Sequence, residues 1–141
     1  MYSRILVPID LDEPSSWAKA VHVGLALAKA FGGSVTLCTV VTDRKAIQKG
    51  AEWSRISYQA LLDSAEARLD LLARELRGKA PMDVRVGSGG IGSGILGLAA
   101  ELGADLIVLA SHRPEMKDWL IGANASRVVR HAPCSVLVVR E

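Results

Sequence analysis

The segment from Ala110 to Ser126, ASHRPEMKDWLIGANAS, holds the densest set of residues suited to chemistry in this chain. It joins the end of an apolar run to a polar stretch carrying His112, Arg113 and Lys117, and then to a helix-forming stretch that opens at Gly122. Such a junction suits an anion. The first main-chain N–H groups of a helix lack intrahelical partners, the helix dipole places partial positive charge there, and glycine lets a ligand approach the backbone closely. Gly122, Ala123, Asn124 and Ala125 are therefore candidates to hold a phosphate. The plainer alternative is that Gly122 and Asn124 only begin a helix. Asp10 ends a second apolar run, RILVPID, where a carboxylate can accept hydrogen bonds from a pair of ribose hydroxyls or can hold the turn that follows. Pro8 and Val40 offer flat and branched apolar surface of the kind an adenine packs against, and each also reads as ordinary core.

Other spacings are weaker. Residues 87 to 92, GSGGIG, match the GxGxxG spacing of dinucleotide binding, with Asp105 eighteen positions after Gly87. The acidic residue of that fingerprint ends the second strand of its unit, whereas Asp105 precedes its strand, so an NAD-dependent oxidoreductase is a minor reading beside a loop entering a short helix. Ser111 and His112 adjoin without a GxSxG elbow or a third residue to orient the imidazole, so no catalytic residue is assigned. No Gly-Lys-Ser/Thr follows any strand, which removes the lysine and hydroxyl of a rapid phosphotransferase. Cys38 and Cys134 are too few and too distant for a disulfide framework or a zinc site, and no metal site is expected; both read as core thiols in a reducing compartment.

These residues need a frame. Arg4 to Asp10, Val35 to Val41, Asp105 to Ala110 and Ser135 to Val139 are apolar, β-rich runs that read as buried strands, and Met82 to Val86 alternates as a strand with one wet face. Between them lie helical patterns. Asp12, Glu13 and Pro14 open one whose stripe runs Trp17, Ala20, Val21, Leu25, Ala28 and Phe31 before Gly32 and Gly33. Tyr58, Leu61, Leu62, Ala65, Leu69, Leu72 and Leu76 line a long second helix ended by Gly78 and Pro81. A glycine-rich loop, 87 to 94, precedes a short helix from Ile95 to Leu102, and the last helix spans about Gly122 to His131. Polar stretches occupy Thr42 to Glu52 and Ser111 to Asp118. Alternation of strand and helix implies an α/β, doubly wound parallel sheet. With the first strand central, the winding reverses between strands one and four, and Pro8, Asp10, Ala110 and Ser111 face one crevice. At 141 residues, 50% of them apolar, the chain makes one domain, 1–141, and its formal charge of +2 gives no reason to expect nucleic acid or an anionic membrane as partner. Every apolar run is too short to span a bilayer, so the expected location is cytoplasmic. The last strand, Val136 to Val139, falls at a sheet edge, where an apolar strand invites pairing with a second copy as a homodimer; an overhanging helix is the alternative.

RILVPID, DLIVLASHRP and VVRHAPCSVLVVR together resemble the universal stress protein family over essentially the whole chain. The resemblance implies strand order 3-2-1-4-5, a dimer formed through the last strand, and membership of either a nucleotide-binding or a non-binding group. The binders' loop reads Gly, two residues, Gly, nine residues, Gly, then Ser or Thr; here Ala110 and Arg113 replace the first two glycines, eight residues precede Gly122, and Ala123 replaces the hydroxyl. SHRP followed by LIGANAS is similar to the F/G-type subgroup of small bacterial members, whose variant loop accompanies adenine-nucleotide binding. Loss of a hydroxyl at Ala123 removes one donor, worth about 0.5–1.5 kcal/mol, for which backbone donors and Arg113 can compensate. By position, the resemblance implies that Pro8 and Val40 border an adenine, closed off by Leu109, and that Asp10 and Ala110 border the ribose. Ser111, His112, Arg113, Gly122, Ala123, Asn124 and Ala125 would then surround the phosphates. The implied ligand is ATP or AMP, with Mg accompanying ATP. The implied function is a regulatory module of the stress response that is not an enzyme; the alternative is a nucleotide-free module that docks a partner protein.

Overall fold

The computed structural model describes residues 1–13, 17–42, 55–76, 80–111 and 122–140. Strands β1 (Arg4–Pro8), β2 (Ser34–Val41), β3 (Met82–Ser88), β4 (Leu106–Ser111) and β5 (Ser135–Arg140) alternate with helices α1 (Ala18–Phe31), α2 (Arg55–Leu76), α3 (Ile91–Leu102) and α4 (Ala123–His131). The strands form one parallel sheet in the order β3-β2-β1-β4-β5, the doubly wound arrangement expected of the alternating pattern.

Side-chain alternation along the central strands divides the interior in two. Ile5 and Val7 of β1, Val35 and Leu37 of β2, and Leu106 and Val108 of β4 face one side, where α1 and α2 cover them with Val21, Leu25, Leu69 and Ala73. Leu6, Cys38, Ile107 and Leu109 face the other, covered by Ile95, Leu98 and Ala99 of α3 and by Ala125 and Val128 of α4. A strand buried on both faces has no polar positions, which is why β1 and β4 read as unbroken apolar runs.

The seam between β1 and β4 is fastened at one end and open at the other. At the fastened end the Asp105 carboxylate accepts from the Ser3 N–H (2.9 Å), the Ser3 hydroxyl (3.0 Å) and the Arg4 N–H (3.0 Å), while the Asp105 N–H donates to the Arg4 carbonyl (3.0 Å). Register pairing then runs Ile5↔Leu106 and Leu6↔Ile107 and stops. Past that point β1 stays with β2, as the Ile9 N–H donating to the Cys38 carbonyl (2.8 Å) shows, and β4 stays with β5 through Ser111↔Arg140. The tips of the two central strands are thus free to flank a hollow.

Several boundaries differ from the sequence reading. β1 ends at Pro8, and Asp10 lies in the turn beyond it; α1 begins at Ala18, with Trp17 at its N-cap, instead of at the Asp12–Pro14 segment. The acidic pair lies instead in the turn that Asp10 organises, as described below. β3 runs on through Gly87 and Ser88, and α3 starts at Ile91, one turn before Ile95, so the glycine run is half strand and half helix. Gly89, at φ 92, makes the single left-handed residue of the turn between them. Ser111 is the last residue of β4, not part of a loop, and Asp105 precedes β4. β5 alternates between exposed and half-buried residues as far as the buried Val139, with Leu137 38% exposed, and among the described residues no strand pairs with its outer edge. Cys38 is fully buried, whereas Cys134 is only half-buried. Pro14, Gly78 and the polar stretches from 43 to 52 and 112 to 118 lie outside the described residues.

Candidate functional site

Where β1 and β4 cease to pair, a cavity of about 300 Å³ opens at the carboxyl end of the sheet. Its apolar floor is the upper end of the α3/α4 core: Val40 from β2, Ile95 from α3, Leu109 from β4 and Ala125 from α4. Pro8, Ile9 and Asp10 form the wall on the β1 side, and Ala110 and Ser111 form the wall on the β4 side. Gly122 and Asn124, at the start of α4, close the opposite rim. The volume falls at the lower end of the range typical of small-molecule sites.

A network around Asp10 holds the β1 wall. Its main-chain carbonyl accepts from the Trp17 indole N–H (2.7 Å) and from the Glu13 N–H (3.1 Å), and its Oδ1 accepts from the Asp12 N–H (3.0 Å). These bonds make a tight turn in which the short carboxylate mimics a main-chain acceptor. From α2, Arg68 clamps the same turn by donating to the Leu11 carbonyl (2.8 Å) and to Asp12 Oδ1 (3.3 Å). Asp10 therefore does hold its turn, and its exposed carboxylate also stands at the cavity rim. A carboxylate offers about four acceptor positions, so holding the Asp12 N–H does not exhaust it.

At the far rim α4 begins at Gly122, whose extended backbone (φ −62, ψ 158) leaves the helix without a capping side chain of its own. The Gly122 carbonyl accepts from the Ser126 N–H (2.9 Å), which starts the helical ladder. The N–H groups ahead of it, at Ala123, Asn124 and Ala125, fall in the turn where a helix has none of its own carbonyls to offer. Asp10 is the one charged residue among the described residues lining the cavity.

Pro8, Asp10, Val40, Leu109, Ala110, Ser111, Gly122, Asn124 and Ala125 are thus brought to one hollow. Ala123 is exposed on the first turn of α4 and lines none of it, because the helix turns that side chain outward. His112 and Arg113 lie outside the described residues. Ile9, Trp17, Thr39, Thr42, Ile91 and Ile95 line the cavity without having been singled out as site residues. Trp17, at the N-cap of α1, both packs against the core and lines the hollow; for β2 the available sequence signal was a polar threonine, Thr39, within an apolar strand.

The GxGxxG spacing serves another purpose. Asp105 is at the fastened end of the sheet, remote from the carboxyl ends of the strands, and is committed to Ser3 and Arg4. Within α3, Gly92 admits the stem of Arg127 from α4: a Cβ there would lie 2.7 Å from Arg127 Cδ.

A model of the universal stress protein family matches residues 1–140. Universal stress protein G of Shigella flexneri is 34% identical over 145 residues, covering 99% of this chain and all of that protein. Among solved structures, universal stress protein UspA from Lactobacillus plantarum superposes with a TM-score of 0.74 at 25% identity, over 99% of this chain and 98% of that one. A universal stress protein family protein from Arabidopsis thaliana, solved with AMP bound, superposes with a TM-score of 0.68 at 15% identity, over 99% of this chain and 92% of that one.

Proposed function

The chain belongs to the universal stress protein family, and from that premise we propose that it is a cytoplasmic adenine-nucleotide-binding regulatory domain, acting in stress adaptation as a homodimer and without rapid turnover. The observation that carries this reading is the division of the cavity: apolar at one end, with Pro8, Val40 and Leu109, and rimmed at the other by the start of α4, whose N-cap is Gly122. An adenine is flat and weakly hydrated and suits the first; a phosphate suits the second. Asp10 and Ala110 stand at the wall between, where a ribose would bring its hydroxyls to the carboxylate. The AMP-bound relative of the same fold supports the choice of nucleotide. Arg113 supplies a charge-assisted contact to the phosphates in this reading, with His112 and Ser111 beside it, and Mg accompanies ATP where ATP is the ligand.

The homodimer rests on β5. It is an edge strand, Leu137 is 38% exposed, and antiparallel pairing with a second copy about a two-fold axis would satisfy its open edge.

Calorimetric titration with AMP, ATP and NAD, paired with thermal unfolding, tests the assignment. An adenine nucleotide that binds the native state must raise its stability, by about 2.7 kcal/mol at a hundred times the dissociation constant. No heat and no stabilisation with any of the three at millimolar concentration would refute it. Ala123, lacking the hydroxyl of the nucleotide-binding pattern, favours the second reading, a nucleotide-free docking module. Gly122→Phe separates the two: it abolishes nucleotide binding in the first and leaves partner binding intact in the second.

A further inference from the structure

We propose that Gly94 is a positioning residue that sets the width of the cavity by seating the Val40 side chain, a claim that builds on the nucleotide reading for its main assay. The left-handed glycines among the described residues are Gly32, Gly89 and Gly103, so backbone conformation gives no reason for glycine at 87 or 94. Contact does. A Cβ at Gly94 would stand 2.9 Å from both Val40 γ-carbons, and a Cβ at Gly87 would stand 3.4 Å from Val40 Cγ2 and 3.1 Å from Leu98 Cδ1. Val40 and Gly87 are also register partners across β2 and β3. The isopropyl group is thus seated tightly against Gly94 and lies in ordinary contact beside Gly87.

This seat belongs to the cavity wall. Val40, Ile91 and Ile95 all line the hollow, the first from β2 and the other two from the opening turns of α3 that carry Gly94. A methyl group at position 94 lies too close for the existing arrangement, and valine, stiff at χ1, has no easy rotamer to retreat into. Either the isopropyl group or the first turn of α3 must move. Both are walls of the same hollow, so either response changes the space against which a base would pack. Gly97, three residues along the same helix, has nothing within 4 Å of its would-be Cβ and is the matched control.

The test compares AMP affinity by calorimetry in the wild type, Gly94→Ala, Val40→Ala, the double variant and Gly97→Ala. Gly94→Ala is expected to weaken AMP binding about tenfold, the scale of a modest overpacking penalty, and Gly97→Ala to leave it within about twofold. Removing the γ-methyls in the double variant should restore AMP binding to about the level of Val40→Ala alone, a rescue that general damage to α3 would not allow. Gly94→Ala binding AMP as Gly97→Ala does, or a folded double variant no better than Gly94→Ala, would overturn the proposal. If Gly94→Ala does not fold, the double variant against Val40→Ala decides: equal affinities support the seat, and a large deficit in the double variant overturns it. If the wild type binds ATP or NAD but not AMP, the same comparison is made with the nucleotide it binds; if it binds none of the three, the nucleotide reading fails, and crystal structures of the wild type and Gly94→Ala then judge the seat by itself. A displaced Val40 or α3 turn sustains it; an unchanged wall refutes it.

Discussion

Replacing Asp105 with asparagine probes the fastened end of the β1–β4 seam while keeping the side chain's size. The carboxylate accepts from three donors, two on Oδ2 and one on Oδ1. An asparagine has one acceptor oxygen, so in either orientation its NH₂ faces a main-chain N–H of Ser3 or Arg4, and at least one bond becomes a donor-to-donor contact. A hydrogen bond to a charged group contributes about 1.5–3 kcal/mol when sheltered; discounted for the exposure of Ser3 and Arg4, the expected loss is about 1–2 kcal/mol. Urea unfolding at pH 7 should show this as a lower midpoint at unchanged slope. The pH dependence follows from the same contacts. Partial burial pushes the Asp105 carboxyl up, but the Ser3 and Arg4 N–H groups and the Ser3 hydroxyl outweigh it and hold the group below its ordinary value of 3.8. A carboxyl depressed in the folded state stabilises it fully above the unfolded-state pKa and loses that contribution as pH falls through the folded value. The gap between wild type and Asp105→Asn should therefore be largest at neutral pH and shrink below about pH 4. A variant within about 0.3 kcal/mol of wild type at pH 7, or a gap that persists undiminished at pH 2.5, would refute the account.

Three further outcomes are expected. Gly33→Ala should destabilise the chain by about 2–3 kcal/mol in the same urea assay, because its Cβ would lie 2.6 Å from the Tyr2 carbonyl oxygen and main chain cannot swing aside. A thiol reagent at pH 8 should label Cys134 in the native protein and reach Cys38 only through unfolding. Burial pushes both thiols up, Cys38 far more, while the negative charge of Asp105 adds to the effect at Cys134; equal labelling rates in the native state would contradict this. Leu137→Glu should leave the far-ultraviolet circular dichroism of the chain unchanged and shift sedimentation from dimer to monomer, since a charge on an edge strand opposes pairing. Sedimentation identical to wild type would count against a β5 interface.

The sheet was legible because burial on both faces leaves a plain trace: Ile5–Val7 and Leu106–Leu109 are consecutive apolar residues that a half-exposed strand would interrupt. α2 was legible from its repeating leucines, of which Leu69 is fully buried. The start of α3 was not, since its glycines read as a loop by propensity; tertiary contacts with Val40 and Arg127 are what those glycines permit, and they lie far away in sequence. The cavity was half legible. Strand tips follow from topology, and topology alone brings Pro8, Asp10, Ala110 and Ser111 together. Trp17, Ile91 and Thr42 were missed because their contribution depends on the path of a turn and the rotation of a helix start, neither of which has a sequence period.

The hollow arises because two neighbouring strands let go of each other after Leu6 and Ile107. The parting of the strand tips is therefore independent of the surrounding connections, although Trp17, Thr42 and Gly122 beside those connections complete the wall. Under the proposed nucleotide function, a different connection grafted between β4 and α4 should change which ligand is preferred while the strand tips stay parted. New ligand preferences in this chain can thus be sought by exchanging one short stretch of sequence, with the sheet left untouched.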